Sequence, residues 1–306
     1  MMSDILCRAA RRQRPFHQTP PYPYLREVLV DVQWGDGSID SDFLTPLFYF
    51  PAVRKIHGGR ICESYPDHPN NMILDISHSS RPVREFTVEP VYVCRGMLDW
   101  LAASTELEHI GLVLSVHPHD DPSQLSDDEM FEAPEFRHAL VPFTRTLKTL
   151  RLETFYDLDD DWSIIADDAG PLGSLKEFAV LENLRIRYLL LIQPSTLNSI
   201  HGMKRPLVDI LPSSLKILEV VEIKKDHFAD LLLEFSQLVQ YRAFFPQLER
   251  VTLYVERSFQ IEDLQDSLRH EYKATGIEFE VKEMLCLSGI TSSVASSVAS
   301  GVASGV

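Results

Sequence analysis

Short apolar triplets recur along the chain with one internal spacing: apolar, two variable residues, apolar, one variable residue, apolar. The pattern runs as Leu25-Arg-Glu-Val28-Leu-Val30, more weakly as Val53-Arg-Lys-Ile56-His-Gly58, then as Val83-Arg-Glu-Phe86-Thr-Val88 and Leu107-Glu-His-Ile110-Gly-Leu112. It continues as Leu147-Lys-Thr-Leu150-Arg-Leu152, Leu175-Lys-Glu-Phe178-Ala-Val180, Leu215-Lys-Ile-Leu218-Glu-Val220 and Leu248-Glu-Arg-Val251-Thr-Leu253. First residues lie between 24 and 40 residues apart. The alternating half of each copy predicts a short strand.

Between the copies the apolar spacing changes to that of helices. Cys94, Met97, Leu98, Leu101 and Ala102 share one helical face, as do Phe136, Ala139, Leu140 and Phe143, where Pro142 ends the helix. Phe228, Leu231, Leu232, Phe235, Leu238 and Val239 form the longest stripe, and Ile261, Leu264, Leu268 and Tyr272 the last. A final alternating run, Ile277-Glu-Phe279-Glu-Val281, predicts a closing strand. One strand and one helix per copy cannot bury their apolar faces alone, so the copies must stack. The rival arrangement is a doubly wound α/β domain. Its phosphate-binding turn is missing: the first strand is followed by Trp34-Gly35-Asp36-Gly37, neither G-x-G-x-x-G nor a P-loop.

These L-x-x-L-x-L units with their return helices resemble leucine-rich repeats. The phrases FPAVRKI, LPSSLKILEV and FPQLERVTL resemble the degenerate repeats of fungal F-box-type proteins, over residues 21–285. The resemblance implies an α/β curved solenoid with the parallel sheet on the concave side and helices on the convex side. It also implies a substrate receptor, joined by a separate F-box to a ubiquitin-ligase adaptor. No Leu-Pro-led F-box segment precedes the first repeat, and the asparagine of a standard repeat is convincing only at Asn183.

Charge narrows the partners. Lys+Arg 29 against Asp+Glu 45 gives a net charge of −16, which argues against nucleic acid as a partner. Fourteen acidic residues against four basic ones lie between Asp120 and Asp168. Arg8, Arg11, Arg12 and Arg14 make residues 1–20 a basic arm, residues 21–287 form the solenoid, and 288–306 are expected as a disordered Ser/Ala/Gly/Val tail, its 292–306 repeat lacking anything large to bury. Cys7, Cys62, Cys94 and Cys286 form no C-x-x-C pair, and no stretch reads as a secretory signal or membrane span. A cytoplasmic or nuclear location, with no membrane partner, is the expectation.

Candidate chemistry is sparse, and no catalytic residue, metal or cofactor is expected. His117, His119, Asp120 and Asp121 carry metal-type donors, but Pro118 and Pro122 mark an extended loop with no helix to fix them. A metal-dependent hydrolase using this loop is the rival reading, and a purely structural scaffold the third. Asp157, Asp159, Asp160 and Asp161 lack the glycine and glutamate of an EF-hand, and no G-x-S-x-G is present. Phe48, Phe50, Phe244 and Phe245 read as packing residues, whereas Trp34 and Trp162 sit in polar loops as candidate anchors.

The expected binding face follows from strand alternation. With the fourth and sixth places of each unit inward, the third, fifth and seventh face the concave side. That selects Glu27, Asp31, Lys55, His57, Glu85, Glu89, His109, Arg151, Glu153, Glu177, Glu219, Arg250 and Tyr254, with Leu29 an apolar companion. Seven of these are acidic and three are Lys or Arg, which predicts a protein client carrying a basic patch. Arg151 is expected as an exposed strand position.

Overall fold

A computed structural model describes residues 2–19, 22–31, 39–62, 82–92, 95–115, 131–154, 170–192, 206–255 and 261–284. Its strands are β1 (Glu27–Val30), β2 (Ile39–Asp40), β3 (Lys55–Gly58), β4 (Ile61–Cys62), β5 (Glu85–Tyr92) and β6 (His109–Ser115). They continue as β7 (Thr149–Thr154), β8 (Asn183–Arg187), β9 (Ile217–Ile223), β10 (Arg250–Val255) and β11 (Glu278–Glu283). All join one sheet in the order β1-β3-β5-β6-β7-β8-β9-β10-β11, with β2 and β4 to the side. Each pairing is parallel. Order along the main path equals order along the chain. A doubly wound sheet reverses direction at a switch point, and this one does not. The fold is an α/β curved solenoid.

The triplets explain the packing. First-place residues Val53, Val83, Leu107, Leu147, Leu181 and Leu215 are fully buried, as are Leu150, Leu152, Val251 and Leu253 at fourth and sixth places. The second place does something different, through its backbone. The Arg26 carbonyl accepts the N–H groups of both Arg54 and Lys55, at 2.7 and 3.0 Å. The Arg54 carbonyl does the same for Arg84 and Glu85, and the carbonyls of Arg84, Glu108, Lys148, Glu182 and Lys216 repeat it along the sheet. Each unit is thus hung from the one before by the same pair of bonds.

On the opposite side the return segments vary in form. Helices Arg95–Ala103, Ala133–Leu140, Phe228–Gln240 and Ile261–Thr275 fall where the stripes predict, and a 3-10 turn, Val141–Phe143, replaces the helix at Pro142. The first unit uses 3-10 turns instead, Ser41–Phe43 and Thr45–Tyr49, against which helix Met2–Ala10 rests through the fully buried Ala9. In three units a buried phenylalanine introduces the next strand three residues ahead of its first place. The N–H of Val53 bonds to the Phe50 carbonyl, that of Leu181 to Phe178, and that of Leu248 to Phe245.

That turn corrects one unit. Residues 175–180 are not a strand. Phe178 is the buried introducing aromatic, and the repeat is Leu181-Glu-Asn183-Leu184-Arg-Ile186, six residues later. Leu175 and Phe178 imitate the apolar spacing because both anchor the turn in the core. Asn183 accordingly opens β8, paired with Thr149 and Ile217, and is not a loop asparagine of the standard kind. Phe244, expected to pack, is 61% exposed beside the buried Phe245.

Candidate protein-binding face

Parallel registers carry the outward side chains of successive strands into rows. One row reads Leu29, His57, Thr87, Gly111, Arg151, Arg185, Glu219, Thr252 and Glu280. The row on its β-strand N-terminal side reads Glu27, Lys55, Glu85, His109, Thr149, Asn183, Ile217, Arg250 and Glu278. Neighbours in such rows stand close enough for their side chains to pair.

The middle of the face is a chain of ion pairs. Arg151 on β7 binds Glu89 on β5 and Glu153 on its own strand. Arg185 on β8 takes Glu153 with two bonds, Nε to Oε1 at 2.6 Å and Nη2 to Oε2 at 3.1 Å. Its remaining nitrogen, Nη1, donates to Glu219 on β9 at 3.0 Å. The guanidinium also lies 4.6 Å from the centre of the Tyr254 ring on β10. Two carboxylates and an aromatic face thus fix one planar cation, a geometry lysine does not reproduce. Burial pushes the Glu153 carboxyl up, but Arg185 and Arg151 outweigh it and hold the group below the ordinary carboxylate range. Arg151 is therefore not a plain exposed position, since it is braced between two acids and half-buried.

Toward the N-terminal end the pairs are looser. Lys55 Nζ lies 2.6 Å from Glu85, and His57 Nε2 lies 3.5 Å from Glu27 and 3.9 Å from Glu85. The hydrogen bond with Glu85 raises the Lys55 pKa. His109 Nδ1 is 3.1 Å from the Thr149 hydroxyl. Asp31 closes β1, with its carboxylate against Gly59. Glu177 is not on this face: it lies in the turn before Leu181 and binds Arg137 of helix Ala133–Leu140. Its loss follows from the shifted unit.

The same shift shows what the sequence reading missed. Third, fifth and seventh places counted from Leu181 are Asn183, Arg185 and Arg187, and the closing strand likewise contributes Glu278, Glu280 and Lys282. Arg187 is only 1% exposed and pairs with Glu222. Glu222 also accepts bonds from the Thr154 backbone N–H, at 3.0 Å, and hydroxyl, so it ties β9 to β7 past β8. It has φ +59°, a left-handed conformation that costs a non-glycine residue about 1–2 kcal/mol. No spacing rule reaches Glu222, because it stands where the register with β10 shifts.

The His117–Asp121 loop, the Asp157–Asp161 run, Trp34, Trp162, Cys94, Cys286 and the 288–306 tail lie outside the described residues. Among the described residues no group of three or more His, Cys, Asp or Glu is placed to hold a metal ion, and no helix is long and apolar enough to cross a membrane.

A parallel sheet grown one unit at a time, with inward apolar residues at fixed places and varied outward charges, defines a repeat solenoid of the protein-interaction class. The chain belongs to the leucine-rich repeat domain family, whose model matches residues 17–289. Domains of this family are typically non-catalytic and bind protein partners. No curated protein and no solved structure matches the chain significantly.

Proposed function

We propose that this chain is a recognition module that holds a protein client against the concave sheet, centred on the Arg151–Glu153–Arg185–Glu219–Tyr254 array. The observation that carries the reading is the bracing of Arg185 by two carboxylates and a ring on three neighbouring strands. A surface whose charged groups are already held loses little side-chain entropy on binding. Such an array suits a client that makes directional polar contacts at its centre.

The client's charge follows from what the array leaves over. Glu89, Glu153 and Glu219 share Arg151 and Arg185, which leaves one acid in excess, and Glu280 pairs with Lys282. Further acid lies at the ends, at Glu27 on β1, at Asp31 just past it and at Glu278 on β11. A basic patch on the client would meet these ends, and the largely paired centre would meet a polar surface. The resemblance to F-box-type receptors further supports a client presented for ubiquitin transfer, through an adaptor.

Affinity purification with mass spectrometry, on wild type and the Glu219→Ala variant side by side, tests the reading. A dominant client should be retained by wild type and lost at least several-fold by the variant. Equal capture would remove the array from the binding site. Co-purification of a ligase adaptor would support the ubiquitin setting, and a client without any adaptor would reject it.

A further inference from the structure

Among the described residues β1 is an edge of the sheet, and it is not finished in the way the repeat finishes β3 and β5 to β10. The N–H groups of the second and third places in each later unit donate to the preceding unit's second-place carbonyl. In the first unit these are the N–H groups of Arg26 and Glu27, and among the described residues no backbone carbonyl receives them. Ladder parity extends the vacancy. Lys55 N–H bonds to the Arg26 carbonyl and Gly59 N–H to the Val30 carbonyl, so the Arg26 carbonyl and the polar groups of residues 28 and 30 turn toward β3. In a parallel strand the alternate residues point the other way, so Glu27 and Leu29 aim N–H and C=O outward.

The side chains along this edge are not those of a protected one. Edges are normally blunted by charge, proline or a covering element. Leu29 is 66% exposed, Tyr24 just ahead of the strand is 91% exposed, and Val28 and Val30 remain half-buried. Glu27 has a 64% exposed side chain, with His57 3.5 Å away and Lys55 near enough to feel its charge. On the inner side, β3 already shows what matches this strand: Lys55 stands opposite Glu27, and Ile56 opposite Val28.

We propose that β1 accepts an extended segment of a partner protein as an added strand, with a basic residue opposite Glu27, an apolar residue opposite Leu29 and a basic residue opposite Asp31. Apolar residues of that segment opposite Val28 and Val30 extend the core by one unit. Its backbone amides bond to the Glu27 and Leu29 carbonyls, and its carbonyls take the outward N–H groups of β1. A second copy of β1 fits less well. Antiparallel pairing centred on Leu29 sets Glu27 against Asp31 of the other copy, and pairing centred on Val28 sets Glu27 against Leu29. This edge is separate from the concave-face array, and its use does not depend on that reading.

The test uses the full chain and a fluorescent nine-residue peptide with lysine–valine–leucine–valine–lysine at its centre, followed by anisotropy. The expected result is saturable binding that weakens about five- to ten-fold when both lysines become glutamate, since each cross-strand pair changes from attractive to repulsive. N-methylation of the two valine amides should abolish it. Glu27→Lys should erase the preference, because each peptide then meets one attractive and one repulsive cross-strand pair. Circular dichroism of Glu27→Lys confirms that this exposed exchange leaves the fold intact. Absence of binding, equal binding of both peptides to wild type, or indifference to N-methylation overturns the proposal. Concentration-dependent dimerisation of the chain that Glu27→Lys changes would assign the edge to a second copy and overturn it as well.

Discussion

The two ends of the solenoid solve the same problem unequally. At the C-terminal end helix Ile261–Thr275 packs on β11, and its fully buried Tyr272 stacks on Phe279 with ring centroids 4.6 Å apart. The Tyr272 hydroxyl donates to the Phe235 carbonyl at 3.1 Å, which ties the last helix to Phe228–Gln240 before it. Outward residues Glu278, Glu280 and Lys282 are all charged. At the N-terminal end helix Met2–Ala10 rests on the 3-10 turns, and β1 keeps half-buried valines and an exposed leucine. A stacked array needs its terminal units sealed, because each internal unit relies on a neighbour at both sides. One end is packed by a helix and charged along its strand. At the other, among the described residues, Leu29 stays exposed between Glu27 and Asp31 and the valines are only half-buried.

The largest effect should come from unsealing the closed end. Phe279→Ala removes a buried ring stacked on Tyr272 and should cost about 3 kcal/mol, read as a lower urea midpoint with an unchanged slope. A loss under about 1 kcal/mol would break the contrast, since β11 would then be no better packed than β1.

The braced centre gives a pH-dependent reference against which both ends are compared. Glu153 titrates lower in the fold than in the unfolded chain, so its pairing stabilises above the ordinary carboxylate range. The contribution is lost as pH falls through the folded value. Glu153→Gln should therefore be less stable than wild type near neutrality, by about 1–3 kcal/mol, with the gap closing in acid. Denaturant melts between about pH 7 and 3 check this. A gap that stays constant would mean the carboxylate charge is not what braces the arginines.

At the open end the effects should be small. Val28→Ala removes two methyl groups that are only half-buried and should cost about 1 kcal/mol or less. If it matched Phe279→Ala, the N-terminal end would be sealed after all. Smallest of all, Leu29→Lys should move stability by no more than about 0.5 kcal/mol, as expected for an exposed position. The same exchange should lower any tendency to associate in light scattering, by giving β1 the kind of charge β11 already has.

Most of the architecture was legible because buried first, fourth and sixth places repeat an apolar signal that only stacking satisfies. Leu147, Leu150 and Leu152 show it plainly, as do Leu248, Val251 and Leu253. The failure at Leu175 has a physical origin. Periodicity reports burial, and the introducing turn is as buried as the strand, so Leu175 and Phe178 carried the same spacing as a repeat. Arg185 was hidden by that error alone. Glu222 was hidden by something deeper: its role depends on a register shift and a left-handed backbone, neither of which leaves an alternation to read. Strand alternation puts Arg151 and Glu153 on the same side of β7, but it carries no information on cross-strand partners, so their bracing required the register.

The twinned bonds to each second-place carbonyl have an evolutionary corollary. They are made by main chain alone, with Arg26, Arg54, Glu108, Lys148 and Glu182 all serving equally well. Alignment of a unit with its predecessor is therefore indifferent to side-chain identity there and to how long a detour the chain takes in between. A lineage carrying such a hinge-pin can lengthen a detour, or exchange the residues displayed on any strand, without renegotiating how the strands line up. Diversity in what the face displays then accumulates under weak constraint, while the leucines and aromatics behind it hold the scaffold to one form.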